Sequence, residues 1–436
     1  MLNKWTKLSA LVASVLMSFT TLTPAAQAAD NITLELAGYG NVFEPWALTE
    51  YHRLHPNITL HVTKRGMDAH HDYLTNAFMA QRTPDVVAIE VAYSARFRSF
   101  PQYFEDLRQA PYNADSIKSK YLAWRWAQGV GTNGAVIGIP TDVGPMKIAY
   151  RIDLFKSHGL PTNRDQVSAL WPTWDKFIAA GLRYNSKISA AEKTSCRVKR
   201  VCYGFLDNAS TMFNAILSQG TAKYYEDDGS AQGKLIYKTN PAVKAAFTKT
   251  ASALNSKLGV NLAANTPDWG AAMNKGTFAA ILAPAWMLDY IKQYAPNTKG
   301  KWDIADLPGG AASQGGSQLT IPKAAKNKQA AWDFISWYLN PTQQLTIFKK
   351  YGLFPSASSL YTTTALKGYK DPFFNNAPIG QIFAKGADQL SPIFAGRKER
   401  AIENIFGQAL SRVALGKQTA STAWAQALNE IKNAVG

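Results

Sequence analysis

The chain has 436 residues, of which 46% are hydrophobic and 12% aromatic, and its formal net charge is +17. This length exceeds what one hydrophobic core usually serves and predicts two domains, and the apolar content excludes a disordered chain. The basic residues are scattered, with the densest cluster in the short CRVKRVC stretch. We therefore expect a solvated basic surface and no nucleic-acid partner, while a preference for acidic ligands stays open.

The first 28 residues have the pattern of a secretory signal peptide. Lys4 and Lys7 precede an apolar run from Leu8 to Leu22, and the small-residue sequence Ala26-Gln27-Ala28 follows. The run is shorter than the roughly 20 apolar residues that a membrane span needs. No cysteine lies at the expected cleavage site, so we expect an exported protein without a lipid anchor.

The next segments alternate between strand and helix patterns. Strands are predicted at 32–37, 58–62 and 85–90, where apolar residues alternate or form short buried runs. Helices are predicted at 43–55 and 72–81, between these strands. Strand, helix and strand within thirty-odd residues is typical of a parallel sheet, and the predicted fold class is α/β.

A glycine-rich stretch, Gly129-Val-Gly131-Thr-Asn-Gly134, matches the spacing of a dinucleotide-binding loop. It follows a Trp-rich helical stretch at 119–127 and precedes a strand ending at Pro140, the reverse of the order that such a loop requires. A turn is the favoured interpretation. Further helices are predicted within 154–186 and at 241–257, 285–294, 327–339, 341–350 and 400–435, with turn-rich connections at 306–316 and 354–361.

The only two cysteines, Cys196 and Cys202, are close together in an exported chain. An oxidising compartment favours a disulfide between them. A metal pair is the weaker interpretation because no histidine lies nearby.

Five of the six histidines lie at His52, His55, His61, His70 and His71. A metal site would need a helix, a strand and a turn to converge on one ion, so surface histidines without a metal are the favoured interpretation.

The sequence contains no G-x-S-x-G elbow, P-loop or H-E-x-x-H motif. We therefore expect no enzyme, no catalytic residue and no cofactor, although a glycoside hydrolase with two spaced carboxylates and a receptor for a non-sugar solute stay open as alternatives. The 12 tryptophans and 19 tyrosines fit either a packed core or a sugar site with flat aromatic faces.

Several blocks resemble the family 1 extracellular solute-binding proteins, which include the maltose-binding protein, and the resemblance covers essentially the whole chain after the signal peptide. The closest likeness is to the oligosaccharide-binding branch. The blocks, in the family's order, are TPDVV at 83–87, GIPTDVGPMKIAYRIDLF at 138–155, WPTW at 171–174, GTFAAILAPAW at 276–286, KWDIADLPGG at 301–310, GGSQLTIP at 315–322, AWDFISWYLNPTQQ at 331–344 and GLFPS at 352–356.

The resemblance implies two α/β lobes joined by hinge segments, with the ligand held in the cleft between them. The lobe boundaries that it implies are 29–140 plus 306–342 and 141–305 plus 343–436. It also implies a periplasmic, monomeric receptor that delivers an oligosaccharide to the membrane permease subunits of an ABC transporter. The missing lipid-anchor cysteine departs from many relatives and puts the tethering in doubt, not the fold.

Ligand contacts carried over from the family fall on loops after strands, where open α/β sheets bind ligands. Asp142 lies beside the first hinge, and its alternative to a ligand contact is a hinge-capping role. The alternative for Glu90 is a structural ion pair. Trp286 matches the family's stacking aromatic, and Trp269 is a second candidate. The predicted contacts are Tyr39, Asn41, Glu90, Tyr93, Asp142, Asn208, Ser210, Trp269, Trp286, Gly316 and Ser317.

Overall fold

The computed structural model describes residues 30–199, 203–230 and 232–435. The signal peptide predicted at 1–28 and the predicted pairing of Cys196 with Cys202 lie outside the described part of the chain. The described residues form helices packed around two larger sheets. The predicted α/β fold class is confirmed.

The strands belong to a five-stranded sheet, a four-stranded sheet and one small hairpin. They are β1 (Ile32–Tyr39), β2 (Ile58–Arg65), β3 (Val86–Glu90), β4 (Ile139–Pro140), β5 (Met146–Arg151), β6 (Gly204–Leu206), β7 (Tyr225–Glu226), β8 (Lys234–Leu235), β9 (Phe278–Pro284), β10 (Trp302–Ala305) and β11 (Ser317–Thr320).

Helices surround the two larger sheets. They are α1 (Pro45–Leu54), α2 (Met67–Met79), α3 (Val91–Arg98), α4 (Ala123–Ala127), α5 (Ile152–Ser157), α6 (Arg164–Leu170), α7 (Trp174–Ser186), α8 (Ala190–Lys199), α9 (Met212–Leu217), α10 (Pro241–Asn255), α11 (Pro267–Lys275), α12 (Met287–Tyr294), α13 (Lys328–Tyr338), α14 (Pro341–Tyr351), α15 (Thr364–Lys367), α16 (Ile379–Asp388), α17 (Glu399–Ala414) and α18 (Ala420–Val435). Short 3-10 helices lie at Pro101–Tyr103, Ala114–Lys120, Ala209–Thr211, Pro296–Thr298, Ser358–Leu360 and Pro372–Phe374. Within the described ranges, no helix combines the length and the apolar character needed to cross a membrane.

The first sheet has the order β2, β1, β3, β11, β4 and forms the core of the first lobe. Strand β1 pairs in parallel with β2 and β3, and β11 pairs antiparallel with β3 and β4. All five residues of β3 are buried, as expected of a central strand covered on both faces. Because β1 and β3 are parallel, their carboxyl ends lie at the same edge of the sheet.

The second sheet has the order β10, β5, β9, β6 and forms the core of the second lobe. Strand β5 is antiparallel to its neighbours β9 and β10, whereas β6 and β9 are parallel. Every residue of β5 and β9 is buried, so helices cover this sheet on both faces as well.

Two crossing segments, residues 141–145 and 306–316, connect the sheets. The amide of Gln314 donates to the carbonyl oxygen of Gly144 at 2.8 Å. A Cβ atom on residue 144 would lie 1.9 Å from the carbonyl oxygen of Gln314, so the close approach of the two segments requires glycine at this position. The hinge that the family resemblance implies corresponds to these segments, and the residue boundaries of the lobes stay a prediction.

The structure corrects three of the predicted elements. Helix α2 begins at Met67, five residues before its predicted start, with Gly66 at its N-cap and Asp68 in its first turn. The long helix predicted at 400–435 is two helices, since Gly416 has a φ of 68° and ends the first of them. The Trp-rich stretch at 119–127 forms the end of a 3-10 helix and the short α4.

The glycine-rich stretch is a turn, as predicted. The amide of Gly134 donates to the carbonyl oxygen of Gly131, and Val130 and Val136 pair across the turn. No helix begins there to receive a phosphate.

Candidate functional site

A cavity of about 560 Å³ lies between the two lobes, and we call it the interlobe cavity. Aromatic, polar and charged side chains line its wall. Its lining includes Tyr39, Asn41, Arg65, Glu90 and Trp124 from the first lobe, Asp142, Gly316 and Ser317 from the strand ends and segments beside the crossing, and Asn214, Lys223, Trp286, Tyr290, Glu399, Arg400 and Glu403 from the rest of the chain.

Seven of the eleven predicted contact residues line this cavity. They are Tyr39, Asn41, Glu90, Asp142, Trp286, Gly316 and Ser317. The ends of β1 and β3 supply the first three, because parallel strands present their carboxyl ends at one edge.

Tyr39 is held in place in the lining of the interlobe cavity. Its hydroxyl lies 2.6 Å from the hydroxyl of Ser317, and its ring packs against the rings of His70 and His71 at centroid distances of 5.5 and 5.3 Å. Burial and the nearby carboxylate of Glu90 hold the pKa of Tyr39 well above its usual value. Tyr39 is therefore a neutral phenol that can donate or accept a hydrogen bond.

Glu90 combines a structural contact with exposure to the cavity. Its Oε2 accepts from the amide of Ala92 at 2.7 Å, which caps helix α3, and the side chain lines the interlobe cavity. Burial raises the pKa of Glu90 to about 7, because the charged form loses its hydration, and the carboxylate of Glu403 adds to this effect. Glu90 thus changes charge near neutral pH.

Asp142 is tied to the hinge more tightly than the other predicted contacts. Its Oδ1 accepts from the hydroxyl of Thr141 and from the amide of Ser317, the latter at 3.1 Å. Arg125 donates to the backbone carbonyl oxygens of Asp142 and Ser317 at 3.0 and 2.8 Å. The hinge contacts occupy one carboxylate oxygen, while the residue still lines the cavity.

Trp286 is held as a rigid aromatic wall. Its Nε1 donates to the carbonyl oxygen of Gln314 at 2.9 Å, and Tyr290 meets it edge to face with ring centroids 5.9 Å apart. A Cβ atom on Gly315 would lie 2.9 Å from this Nε1, so glycine allows the indole to approach the crossing segment. An indole fixed by its edge keeps its face available for stacking.

The structure corrects the stacking role predicted for Trp269. The side chain is 0% exposed, and its Nε1 donates to Oδ2 of Asp207 at 3.0 Å. Its ring meets Tyr294 edge to face with centroids 5.5 Å apart. Trp269 is a core residue and does not line the interlobe cavity.

Three more predicted contacts lie outside the lining of the interlobe cavity. Asn208 caps a turn by accepting from the amide and the hydroxyl of Ser210 at 3.0 and 2.6 Å. Tyr93 is buried and donates to Asp68 at 2.6 Å. These three side chains satisfy one another or neighbouring groups within the protein.

The sequence reasoning missed several lining residues: Arg65, Trp124, Asn214, Lys223, Tyr290, Glu399, Arg400 and Glu403. The last three lie in the first turns of α17, which was predicted only as a helix. An amphipathic pattern identifies a helix but does not show which lobe its polar face meets. The sequence contains one indication of this group: Glu399 and Glu403 are four residues apart, which places them on the same face of a helix.

Glu399 is a buried carboxyl group with an unfilled hydrogen-bonding position. It is 5% exposed, and its Oε2 has no hydrogen-bond partner among the described residues. Burial raises the pKa of Glu399 to about 8, although the charge of Lys223 opposes this rise. At neutral pH the group is mostly protonated and can donate a hydrogen bond into the cavity.

This pKa predicts a pH-dependent stability difference for Glu399→Gln. The folded state keeps the proton above the unfolded pKa of about 4.3, so the wild type loses stability as pH rises from about 4.5 towards 8. We expect the variant to match the wild type at pH 4.5 and to be more stable at pH 8, by on the order of 1–3 kcal/mol. Urea unfolding at both values measures the difference, and an equal gain at both would contradict this account.

The structure also corrects the prediction that His70 and His71 are surface residues. Both lie on α2 and are 0% exposed. Nε2 of His70 contacts the carbonyl oxygen of Ala88. Nδ1 of His71 contacts the carbonyl oxygen of Met67, and Nε2 of His71 accepts from the amide of Glu90 at 3.0 Å. Burial lowers the pKa of His71 to about 3, so this ring is neutral.

Among residues 30–199, 203–230 and 232–435, no group of three or more His, Cys, Asp or Glu side chains is placed to hold a metal ion.

Comparisons with known proteins agree with this architecture. The sequence profile of the bacterial extracellular solute-binding protein family matches residues 46–375. The arabinooligosaccharide-binding protein of Bacillus subtilis (strain 168) is 24% identical over 339 residues, which is 74% of this chain and 72% of that protein.

Solved structures show the same two-lobed fold. The crystal structure of an extracellular solute-binding protein of family 1 is 32% identical with a TM-score of 0.78, covering 93% of this chain and all (100%) of that one. The ABC transporter associated binding protein of B. animalis subsp. lactis, in complex with beta-1,6-galactobiose, is 21% identical with a TM-score of 0.77, covering 92% and 96%. Maltose-bound MalE3 of T. maritima is 18% identical with a TM-score of 0.70, covering 92% and 100%. The chain therefore belongs to the bacterial extracellular solute-binding protein family.

Proposed function

We propose that this protein captures an uncharged oligosaccharide in the interlobe cavity and delivers it to the membrane permease of an ABC transporter. The observation that carries the proposal is the fixed indole of Trp286 in a wall that also holds Glu90, Asp142 and Asn41. The C–H face of a sugar ring packs on an aromatic face, and its hydroxyl groups need carboxylate and amide partners. The volume of about 560 Å³ suits a small ligand.

The charges in the lining support an uncharged ligand. Three cationic side chains, Arg65, Lys223 and Arg400, face four carboxyl groups, those of Glu90, Asp142, Glu399 and Glu403. Arg400 lies within ion-pair distance of Glu403, at 3.2 Å. Burial raises the pKa of Asp142, Glu90 and Glu399. Both signs of charge are present in the lining, and carboxyl groups with raised pKa values can donate as well as accept hydrogen bonds, which suits the hydroxyl groups of a sugar.

The named relatives support the ligand class. One is an arabinooligosaccharide-binding protein, and two structures hold beta-1,6-galactobiose and maltose. Isothermal calorimetry with arabinooligosaccharides, galactobiose and maltose therefore tests the proposal. We expect stoichiometric, micromolar or tighter binding of at least one neutral sugar. Binding of an acidic sugar or an amino acid, with no neutral sugar bound, would contradict it.

We also propose that the protein performs no chemistry on its ligand. The contacts of Glu90 with helix α3 and of Asp142 with the hinge support structural and binding roles for the two carboxyl groups. Incubation with the bound sugar should return it intact, as chromatography of the recovered ligand would show. Turnover that disappears in Glu90→Gln or Asp142→Asn would instead indicate a carbohydrate-active enzyme.

The raised pKa of Glu90 predicts that the affinity for sugar depends on pH. If its carboxylate accepts from a sugar hydroxyl, binding strengthens as pH rises through its pKa of about 7. The ionised fraction increases about tenfold between pH 6 and pH 8, so the association constant should rise by up to about tenfold. Glu90→Gln should bind more weakly and without this increase. Calorimetry at both pH values measures it, and an unchanged pH dependence in the variant would assign the effect to another group.

The location and assembly follow from the same proposal. We propose a monomer that works in the periplasm, and the extracellular family and the signal-like first 28 residues support this location. We also propose the lobe boundaries 29–140 plus 306–342 and 141–305 plus 343–436, and the strands of each sheet support the boundaries near residues 140 and 306.

A further inference from the structure

Arg400 links the two lobes at the interlobe cavity. It lies in the first turn of α17, and its Nε donates to Oδ1 of Asp68 on α2 of the first lobe at 3.1 Å. Its Nη1 donates to Oε2 of Glu403, one turn along α17, at 3.2 Å. Carboxylates from both sides of the cleft therefore orient one guanidinium group.

Asp68 is itself held by a network of the first lobe. The hydroxyl of Tyr93 donates to the same Oδ1 at 2.6 Å. The ring of Tyr93 stacks on His71 with centroids 3.8 Å apart and planes 2° apart. His71 accepts from the amide of Glu90, which lines the interlobe cavity. The position of Asp68 is thus fixed relative to the cavity wall.

Arg400 retains hydrogen-bonding capacity towards the cavity. A guanidinium group has five N–H donors in a planar fork. Within the described parts of the chain, its Nη2 makes no hydrogen bond to a protein acceptor, and the residue lines the interlobe cavity. Asp68 does not line the cavity, and Arg400 is the lining side chain to which it is hydrogen-bonded.

We propose that Arg400 donates from Nη2 to a sugar oxygen, and that Asp68 is its positioning residue, supplied by the opposite lobe when the cleft is closed. The sugar contact rests on the proposed function, whereas the contact between the lobes does not. A second contact beside it, the guanidinium of Arg397 at 5.0 Å from the ring centroid of Phe100, supports the same closed arrangement. The site is complete only with both lobes together, so ligand release requires this ion pair to break.

Stopped-flow binding and calorimetry of the full chain with arabinotriose, galactobiose and maltose test the ligand part. Asp68→Asn should raise the dissociation rate about three- to fivefold with little change in the association rate, because the pair is partly exposed. Arg400→Gln should weaken binding by about tenfold or more, since it loses a charge-assisted donor as well. The matched control is Asp72→Asn on the same helix, whose carboxylate is 3.7 Å from Arg96 within the first lobe. A dissociation rate for Asp68→Asn equal to that of the control would overturn the positioning role.

Small-angle X-ray scattering without sugar tests the lobe contact separately. Asp68→Arg places two cations together and should increase the radius of gyration at low salt, whereas Asp72→Arg should not. Combining Asp68→Arg with Arg400→Asp should restore the compact form but not the affinity, because a carboxylate cannot donate to the sugar. Urea unfolding verifies that each variant is folded. If none of the three sugars binds the wild type, the proposed ligand class has failed, and scattering alone then tests the contact between the lobes. Identical scattering curves for Asp68→Arg and the wild type would overturn that contact.

Discussion

Replacing Trp286 with alanine is expected to weaken sugar binding about 30-fold. The indole lines the interlobe cavity, and its edge is fixed by the carbonyl oxygen of Gln314 at 2.9 Å. Loss of this face removes about 2 kcal/mol of apolar contact and stacking, which corresponds to that change in Kd. Isothermal calorimetry with the sugar that binds most tightly in the neutral panel measures the effect.

Two further variants separate stacking from changes in the cavity wall. Trp286→Phe keeps an aromatic face but loses the hydrogen bond to Gln314, and we expect a loss of about fivefold. Trp424→Phe is the control, since Trp424 is a partly buried tryptophan that packs on Phe406 with centroids 5.4 Å apart and does not line the cavity. Equal affinities for Trp286→Ala and Trp424→Phe would mean that Trp286 does not contact the sugar.

The first half of the site was carried over from the family resemblance, and a rule about sheets explains why its residues lie together. Tyr39 and Glu90 end adjacent parallel strands, and strands can be read from short apolar patterns, so their proximity was predictable. Asp142 and Trp286 came from the family resemblance, because no spacing rule places a hinge or a stacking aromatic. The α/β fold class was predictable because alternating strand and helix patterns can be recognised in the sequence.

The second half of the site depends on tertiary contacts that the sequence does not encode locally. Glu399, Arg400 and Glu403 reach the cavity because α17 crosses to meet the first lobe, and the amphipathic pattern of α17 fits any packing partner. His70 and His71 were misjudged for a related reason. Nε2 of His70 meets the carbonyl oxygen of Ala88 and Nε2 of His71 accepts from the amide of Glu90, and both of these partners lie on β3, which is placed beside α2 only in the folded protein.

Trp269 shows how the aromatic residues divide between core and site, and its replacement should have the largest effect on stability. Trp269→Ala is expected to lower the free energy of unfolding by about 4 kcal/mol, because it opens a cavity around a fully buried indole. It also removes the donor 3.0 Å from Asp207, a buried carboxyl group whose pKa burial raises to about 7. Urea unfolding followed by tryptophan fluorescence and circular dichroism measures the loss.

Trp269→Phe distinguishes a core role from a ligand role. It retains most of the packing but leaves Asp207 without the indole donor, so we expect a loss of about 1–3 kcal/mol in stability. Adding Asp207→Asn should recover part of this loss above pH 7, where the buried carboxyl group of the single variant would otherwise ionise. Because Trp269 does not line the interlobe cavity, the sugar Kd of Trp269→Phe should stay within about twofold of the wild type. A large loss of affinity with unchanged stability would restore Trp269 as a stacking residue and show that the cleft rearranges around the ligand.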